Sequence, residues 1–344
     1  MRTCLSAIAP FYFRTVGPHY RSGTALAYGS TTLRAITLAA CAAVVLVLTA
    51  CTAKAGQGTT KQTVKVGQES RTYYLHVPPR LPEDKPAALV LMFHGGGGTP
   101  AFAERESRFS ELADREGFLV AYPEGIGRSW NDGRDIRTES AQRKSDDVGF
   151  VAALIDDVAQ DHRIDAKRVF ATGISNGAMF SHCLAMNLSP RIAAIAPVAG
   201  GLAESSRERF HPEKPVSVLI LHSTGDPLVP YHGGDIVLPG GFKRAGIIDT
   251  DETVRKWVDH DGCRREPVVE DLPDSDPADG SRVRKFTYPK GKDGTEVVLY
   301  RIEGGGHTWP GGLQYLPAKL IGRVCRDIDG TRVIWDFFKT HPKP

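Results

Sequence analysis

No aspartate or glutamate precedes Glu69 in this chain of 344 residues. No basic tract with interleaved aromatics occurs anywhere, and the formal net charge is only +3, so nothing points to nucleic acid as a partner. No internal repeat is visible. H-E-x-x-H is absent and the other His/Asp groupings have the wrong spacing, so neither a catalytic metal nor a cofactor is expected. The glycine run at Gly95–Gly98 lacks the Gly-Lys-Ser/Thr that a phosphate-binding loop requires. Cysteine is scarce: Cys4, Cys41 and Cys51 sit near the start, leaving Cys183, Cys263 and Cys325. The rest, 41% hydrophobic and 24% charged, describes an ordinary globular protein, long enough for one large α/β domain or two small ones.

The missing acidic residues mark a leader. Ala35–Ala50 carries no charge, is too short to span a membrane comfortably, and follows Arg2, Arg14, Arg21 and Arg34. That order is a secretory signal. It ends in Leu48-Thr49-Ala50-Cys51, which resembles the bacterial lipobox, whose cysteine is lipidated and becomes the mature N-terminus. The expected organisation is a signal peptide over 1–50, a small polar tether over 51–63, and one catalytic domain over 64–344. Export and attachment to the cell envelope through Cys51 follow. In an exported domain two thiols can oxidise, and Cys263–Cys325 is the expected pair, with Cys183 as a small buried residue on a helix.

Two segments carry the chemistry. Val169–Thr172 is a short apolar, β-branched run that reads as a buried strand, and Ala178–Met186 reads as a helix. Between them lies Gly173-Ile174-Ser175-Asn176-Gly177, a G-x-S-x-G. Such a turn holds its serine strained, at a helix N-terminus where developing negative charge is favoured. Upstream, Ala87–Phe93 is a continuous apolar run that enters His94-Gly95-Gly96-Gly97-Gly98-Thr99, a loop able to present backbone N–H groups. His94 reads as a brace for this loop. Asp146 and Asp147 open a helix running to about His162 and read as its caps.

The later strands end in polar loops. Pro215–Leu221 leads to Asp226, placed to orient an imidazole, while Asp249 and Asp251 read as caps of a helix over 251–261. Thr295–Ile302 leads to His307 in a glycine-rich loop, the setting of a mobile base. Trp130 lies in the long loop 123–143, and Trp309 and Tyr231 lie in loops at the same end of the sheet. The three are expected to line a substrate groove. Alternation of strands and helices predicts a mostly parallel sheet covered on both faces, and the order Ser175, Asp226, His307 is that of the α/β-hydrolase fold.

HGGGGT at His94, DDVGF at Asp146, RVFATGISNGAM at Arg168, GDPLVPYHGG at Gly225 and GGGHTWPGG at Gly304 together resemble the polyhydroxybutyrate-depolymerase/feruloyl-esterase type of α/β-hydrolase, from about Thr72 to Phe338. The resemblance implies a serine esterase with Ser175 as nucleophile, Asp226 as acid, His307 as base, and the N–H groups of Gly95, Gly96 and Asn176 as oxyanion hole. It implies a small or polymer-derived ester as substrate; no cofactor is expected, and a monomer is expected. The elbow carries Asn176-Gly177-Ala178 where many relatives resemble Asn-Gly-Gly. No separate polymer-binding domain is visible. An acyltransferase or a serine peptidase would use the same triad, and a non-catalytic glycan-binding lipoprotein would not need it.

Overall fold

Strand β3, Ala87–Phe93, is buried along its whole length, and its residues alternate between two cores. Leu89, Leu91 and Phe93 join one cluster, and Ala88, Val90 and Met92 join the other. A strand covered on both faces has this continuous apolar composition. The computed structural model describes residues 58–81, 84–134, 138–238 and 242–344. The leader, the lipobox and Cys51 lie outside the described residues.

The other strands are β1 Thr59–Val66, β2 Glu69–His76, β4 Leu119–Pro123, β5 Ile164–Ile174, β6 Ala194–Val198, β7 Ser217–Ser223, β8 Gly234–Leu238, β9 Phe242–Ile247, β10 Val268–Asp271, β11 Arg282–Tyr288 and β12 Val297–Glu303. Among the described residues ten of the twelve strands, β3 included, form one sheet in the order β1-β2-β4-β3-β5-β6-β7-β12-β11-β10, and β8 and β9 form a separate pair. The run β4-β3-β5-β6-β7-β12 is parallel; both flanks are antiparallel. The sheet begins at Thr59, paired with His76, so residues 59–63 of the expected tether belong to β1.

Helices of two turns or more are α1 Pro100–Ser107, α2 Phe109–Glu116, α3 Asp147–Asp161, α4 Asn176–Asn187, α5 Thr250–Asp261 and α6 Gly330–Thr340. Phe150 and Leu154 of α3, Phe180 and Leu184 of α4 and Trp257 of α5 fill one core; Phe109 and Leu112 of α2 and Ile334 and Trp335 of α6 fill the other. Each such large apolar side chain contributes about 1.5–3 kcal/mol on burial. A mostly parallel sheet with helices on both faces, entered through an antiparallel pair, is the α/β-hydrolase fold.

Local chemistry sets the helix starts. Thr99, Asp146, Asp249 and Asp329 each accept a backbone N–H at the start of a helix. Only Asp146 caps α3; Asp147, expected to cap as well, is the first residue of that helix and bonds elsewhere. Its Oδ1 accepts from Arg71 on β2 at 2.7 Å, and its Oδ2 accepts from Asn131 N and from the buried Ser145 Oγ. The carboxylate therefore ties β2 to the loop that carries Trp130.

The expected Cys263–Cys325 disulfide is not formed: Cys183, Cys263 and Cys325 are free thiols. Cys263 packs in the core beside α5, whereas Cys325 packs against Val283 and Ile302 at the far flank of the sheet. Cys183 is half-buried on α4.

Candidate active site

Strands β5, β7 and β12 run parallel, so their carboxyl ends share one edge of the sheet. Ser175 follows β5 directly, Asp226 comes three residues after β7, and His307 four residues after β12. Brought to one edge, loops from three strands can converge on one reacting atom.

Ser175 has φ 59° and ψ −120°, outside the regions that L-residues favour. Two close approaches enforce this. A Cβ on Gly173 would lie 2.6 Å from Phe93 O, and one on Gly177 would collide with the same carbonyl. The glycines thus let β5 and α4 press against the end of β3. Gly200, after β6, closes the other side, where a Cβ would lie 2.7 Å from Ser175 O. Ser175 N donates to Val198 O, and Ser175 O accepts from Met179 N, so the backbone is held at both ends of the residue.

The loop after β3 lies over this turn. Gly98 N donates to Gly95 O, and a Cβ on Gly95 would sit 3.4 Å from Ser175 Cβ, one on Gly96 3.7 Å from Asn176 Cβ. His94 anchors the loop through Nδ1 to Gly95 O and by accepting Gly125 N at Nε2. Burial pushes its imidazole down to about 4, so it is neutral and braces the loop as the sequence suggests. Asn176 is the first residue of α4, whose leading N–H groups have no partner within the helix.

Asp226 and His307 meet. His307 Nδ1 and Asp226 Oδ2 are 2.7 Å apart, both side chains buried. The other carboxylate oxygen accepts from Leu228 N and Val229 N. Burial pushes the Asp226 carboxyl up, but the His307 ring, its hydrogen bond, His222 and the backbone donor outweigh it and hold the group below its usual range. His307 is held in turn: its N–H donates to Ile321 O, and its carbonyl accepts from Tyr315 OH at 3.0 Å. The Asp226 and His307 loops are in close contact, since a Cβ on Gly225 would lie 2.8 Å from Gly305 O.

Several contributors carried no signal in the sequence. The Asn176 side chain accepts from Trp130 N and donates to Trp130 O and to Asp132 Oδ2, and Asp132 forms a buried ion pair with Arg134. Arg134 also donates to Ala245 O. The elbow is thereby clamped to the loop over it and to the β8–β9 pair. His222 lies 3.8 Å from Asp226 Oδ2 but bonds Thr250 Oγ1 and Val229 O, and burial lowers its pKa, so it supports the acid loop as a neutral ring.

The three aromatics expected to line a groove are core residues. Trp130, Trp309 and Tyr231 are 0%, 1% and 2% exposed. Trp130 stacks on Phe180 and donates to His94 O; Trp309 packs edge-on to Phe109 and donates to Thr331 Oγ1; Tyr231 donates to Asp251 Oδ1. A buried indole or phenol needs a hydrogen-bond partner, and each has found one inside the fold.

Residues 71–209, from the Arg71 anchor to just past β6, match the family model described as esterase PHB depolymerase. The protein named "Putative esterase NocK" from Nocardia uniformis subsp. tsuyamanensis is 34% identical over 291 residues, covering 81% of this chain and 82% of that protein. The chain belongs to the esterase PHB depolymerase family. Feruloyl esterase B of Piromyces equi is 28% identical over 69% of this chain, which spans 42% of that relative's length. Among solved structures, acetyl xylan esterase from Aspergillus awamori superposes with a TM-score of 0.51 at 17% identity, covering 72% of this chain and 94% of that one. That likeness is one of fold. As a member of this family, the chain is a carboxylic ester hydrolase.

Proposed function

We propose that the chain is an exported serine esterase that cleaves small or medium carboxylic esters through Ser175, His307 and Asp226. The observation that carries this reading is the 2.7 Å contact of His307 with Asp226, at the sheet edge where Ser175 is held at φ 59°. Asp226 fixes the tautomer with the proton on Nδ1, which leaves Nε2 to accept the Ser175 proton as Oγ attacks the ester carbonyl. The N–H groups of Asn176 and of Gly95–Gly96 hold the tetrahedral oxyanion, each worth about 3–4 kcal/mol in sites of this kind. His307 then protonates the leaving alcohol, and water releases the acyl-enzyme by the same steps.

The names of the relatives support feruloyl and acetylxylan esters, and the family description supports hydroxyacyl esters. With Trp130, Trp309 and Tyr231 inside the fold, we assign the aromatic wall to Phe102 and Tyr315 instead. Both are half-buried, their rings meet edge to face at 5.8 Å, and Tyr315 holds the His307 carbonyl. The apolar run ending at Cys51 supports export and lipid anchoring. Among the described residues no helix is long and apolar enough to cross a membrane.

The test is turnover of acetyl, butyryl, hydroxybutyryl, feruloyl and palmitoyl esters by wild type and Ser175→Ala. Loss of about 10⁴-fold or more in a folded Ser175→Ala protein is expected. Retained turnover, or a preference for palmitoyl esters, refutes the assignment. Intact-mass analysis that finds no acyl-modified Cys51 at the mature N-terminus refutes the anchor.

A further inference from the structure

Seven buried side-chain atoms have no hydrogen-bond partner among the described residues, and two of them, Ser281 Oγ and Asp327 Oδ2, lie beside Cys325. An orphaned buried polar atom costs about 1–3 kcal/mol, and a pair of them together indicates a missing ligand. There, Asp279, Cys325 and Asp327 each present a ligand atom, all within 4.8 Å of one another. Asp279 is 7% exposed, Cys325 and Ser281 1% each, and the Ser281 hydroxyl faces the Cys325 thiol.

We propose that Asp279, Cys325 and Asp327, with the Ser281 hydroxyl as fourth donor, form a structural site for a zinc-class divalent cation. Two carboxylates and a thiol suit a borderline cation better than calcium, which takes six to eight oxygens. Zinc bonds of about 2.0–2.3 Å require the donors to close in by roughly 1 Å. Binding replaces the S–H bond of Cys325 with an S–metal bond, and the proton leaves to solvent. The carboxylates are already oriented: Asp279 accepts from Ser281 N and Arg326 N, and Asp327 Oδ1 from Ser275 N and Asp276 N, which leaves Asp327 Oδ2 free.

The position gives such an ion a task. Residues 276–283 and 321–327 enclose the loop that carries His307. Gly306 N donates to Arg323 O, His307 N to Ile321 O, and Arg323 to Ala278 O, while Gly280 O rests against Gly304. A metal joining Asp279 to Cys325 and Asp327 staples these two segments across β11 and β12.

The test uses the full chain, stripped with a chelator and titrated with Zn²⁺ alone. Binding of one equivalent with a rise in Tm is expected. Co²⁺ should give a thiolate-to-cobalt charge-transfer band that is absent in Cys325→Ser, and Asp327→Asn should weaken Zn²⁺ binding at least tenfold. No stoichiometric Zn²⁺, or binding that both variants leave unchanged, overturns the site. So does a response to Ca²⁺ without one to Zn²⁺. If Cys325→Ser does not fold, the cobalt spectrum of the wild type decides: without the thiolate band the proposal fails.

Discussion

Replacing Asp226 by Asn preserves size and shape and removes one charge. Two of the carboxylate's contacts decide how the amide settles. Oδ1 accepts from both Leu228 N and Val229 N, at 2.9 and 2.8 Å. An amide oxygen can take that place, but an amide NH₂ there would face two donors. The oxygen therefore stays, and the NH₂ points at His307 Nδ1, where Oδ2 now lies at 2.7 Å. A donor at that position forces Nδ1 to accept, so the ring proton moves to Nε2, the atom we propose takes the Ser175 proton. The base is present in the wrong tautomer. In a Ser-His-Asp site this lowers turnover by about 10⁴, or roughly 5 kcal/mol of transition-state stabilisation. The amide keeps both backbone bonds, so stability should change little. The assay is kcat and KM on a short-chain aryl ester, with urea unfolding alongside. A loss of less than tenfold in kcat with the fold intact refutes the claim that Asp226 sets the tautomer.

Other expectations follow from buried charge and from the corrected pocket. Asp147→Ala strands the buried Arg71 guanidinium and should cost about 3–5 kcal/mol in urea unfolding, recovered only in part in the double variant Arg71→Met/Asp147→Leu, which removes the stranded charge but still leaves Asn131 N and Ser145 Oγ without their acceptor. Burial pushes Glu106 up to about 8 from an ordinary 4.5. Between those values the folded chain keeps a proton that the unfolded chain has lost, so this group's contribution to stability falls as pH rises, by at most about 5 kcal/mol. Glu106→Gln should therefore raise Tm at pH 8.5 and leave it unchanged at pH 4; equal shifts at both would refute the burial argument. Phe102→Ala should alter the ratio of feruloyl to acetyl turnover, whereas Trp309→Ala should lower Tm and leave that ratio unchanged in the fraction that folds.

The parts of the site legible in the sequence are those in which one short segment does both the folding and the chemistry. Gly173–Gly177 between an apolar strand and a helix implies its own turn, because only glycine fits where β5 and α4 meet Phe93 O. Asp226 and His307 could be read because each closely follows an apolar strand, and parallel strands place such residues at one edge. Composition does not say which way a loop aromatic points. Trp309 lies two residues beyond His307 and still turns inward, drawn by Phe109 and by Thr331 Oγ1 on a helix 22 residues later. Asp147 looks like a cap beside Asp146, and only the partner 76 residues earlier, Arg71, makes it an anchor.

The same reasoning separates the two roles of Asn176. Its backbone N–H, at the start of α4, follows from the elbow. Its side chain bonds Trp130 and Asp132, 46 and 44 residues away, and no local pattern announces either. Those bonds join the turn that holds Ser175 to the Trp130 loop, and through Asp132 to Arg134 and Ala245. The positive φ of Ser175 stores strain that its neighbours must offset. Gly173, Gly177 and Gly200 permit the conformation by leaving space. The Asn176 side chain and the buried Asp132–Arg134 pair hold the turn in place by bonds made far from it in sequence.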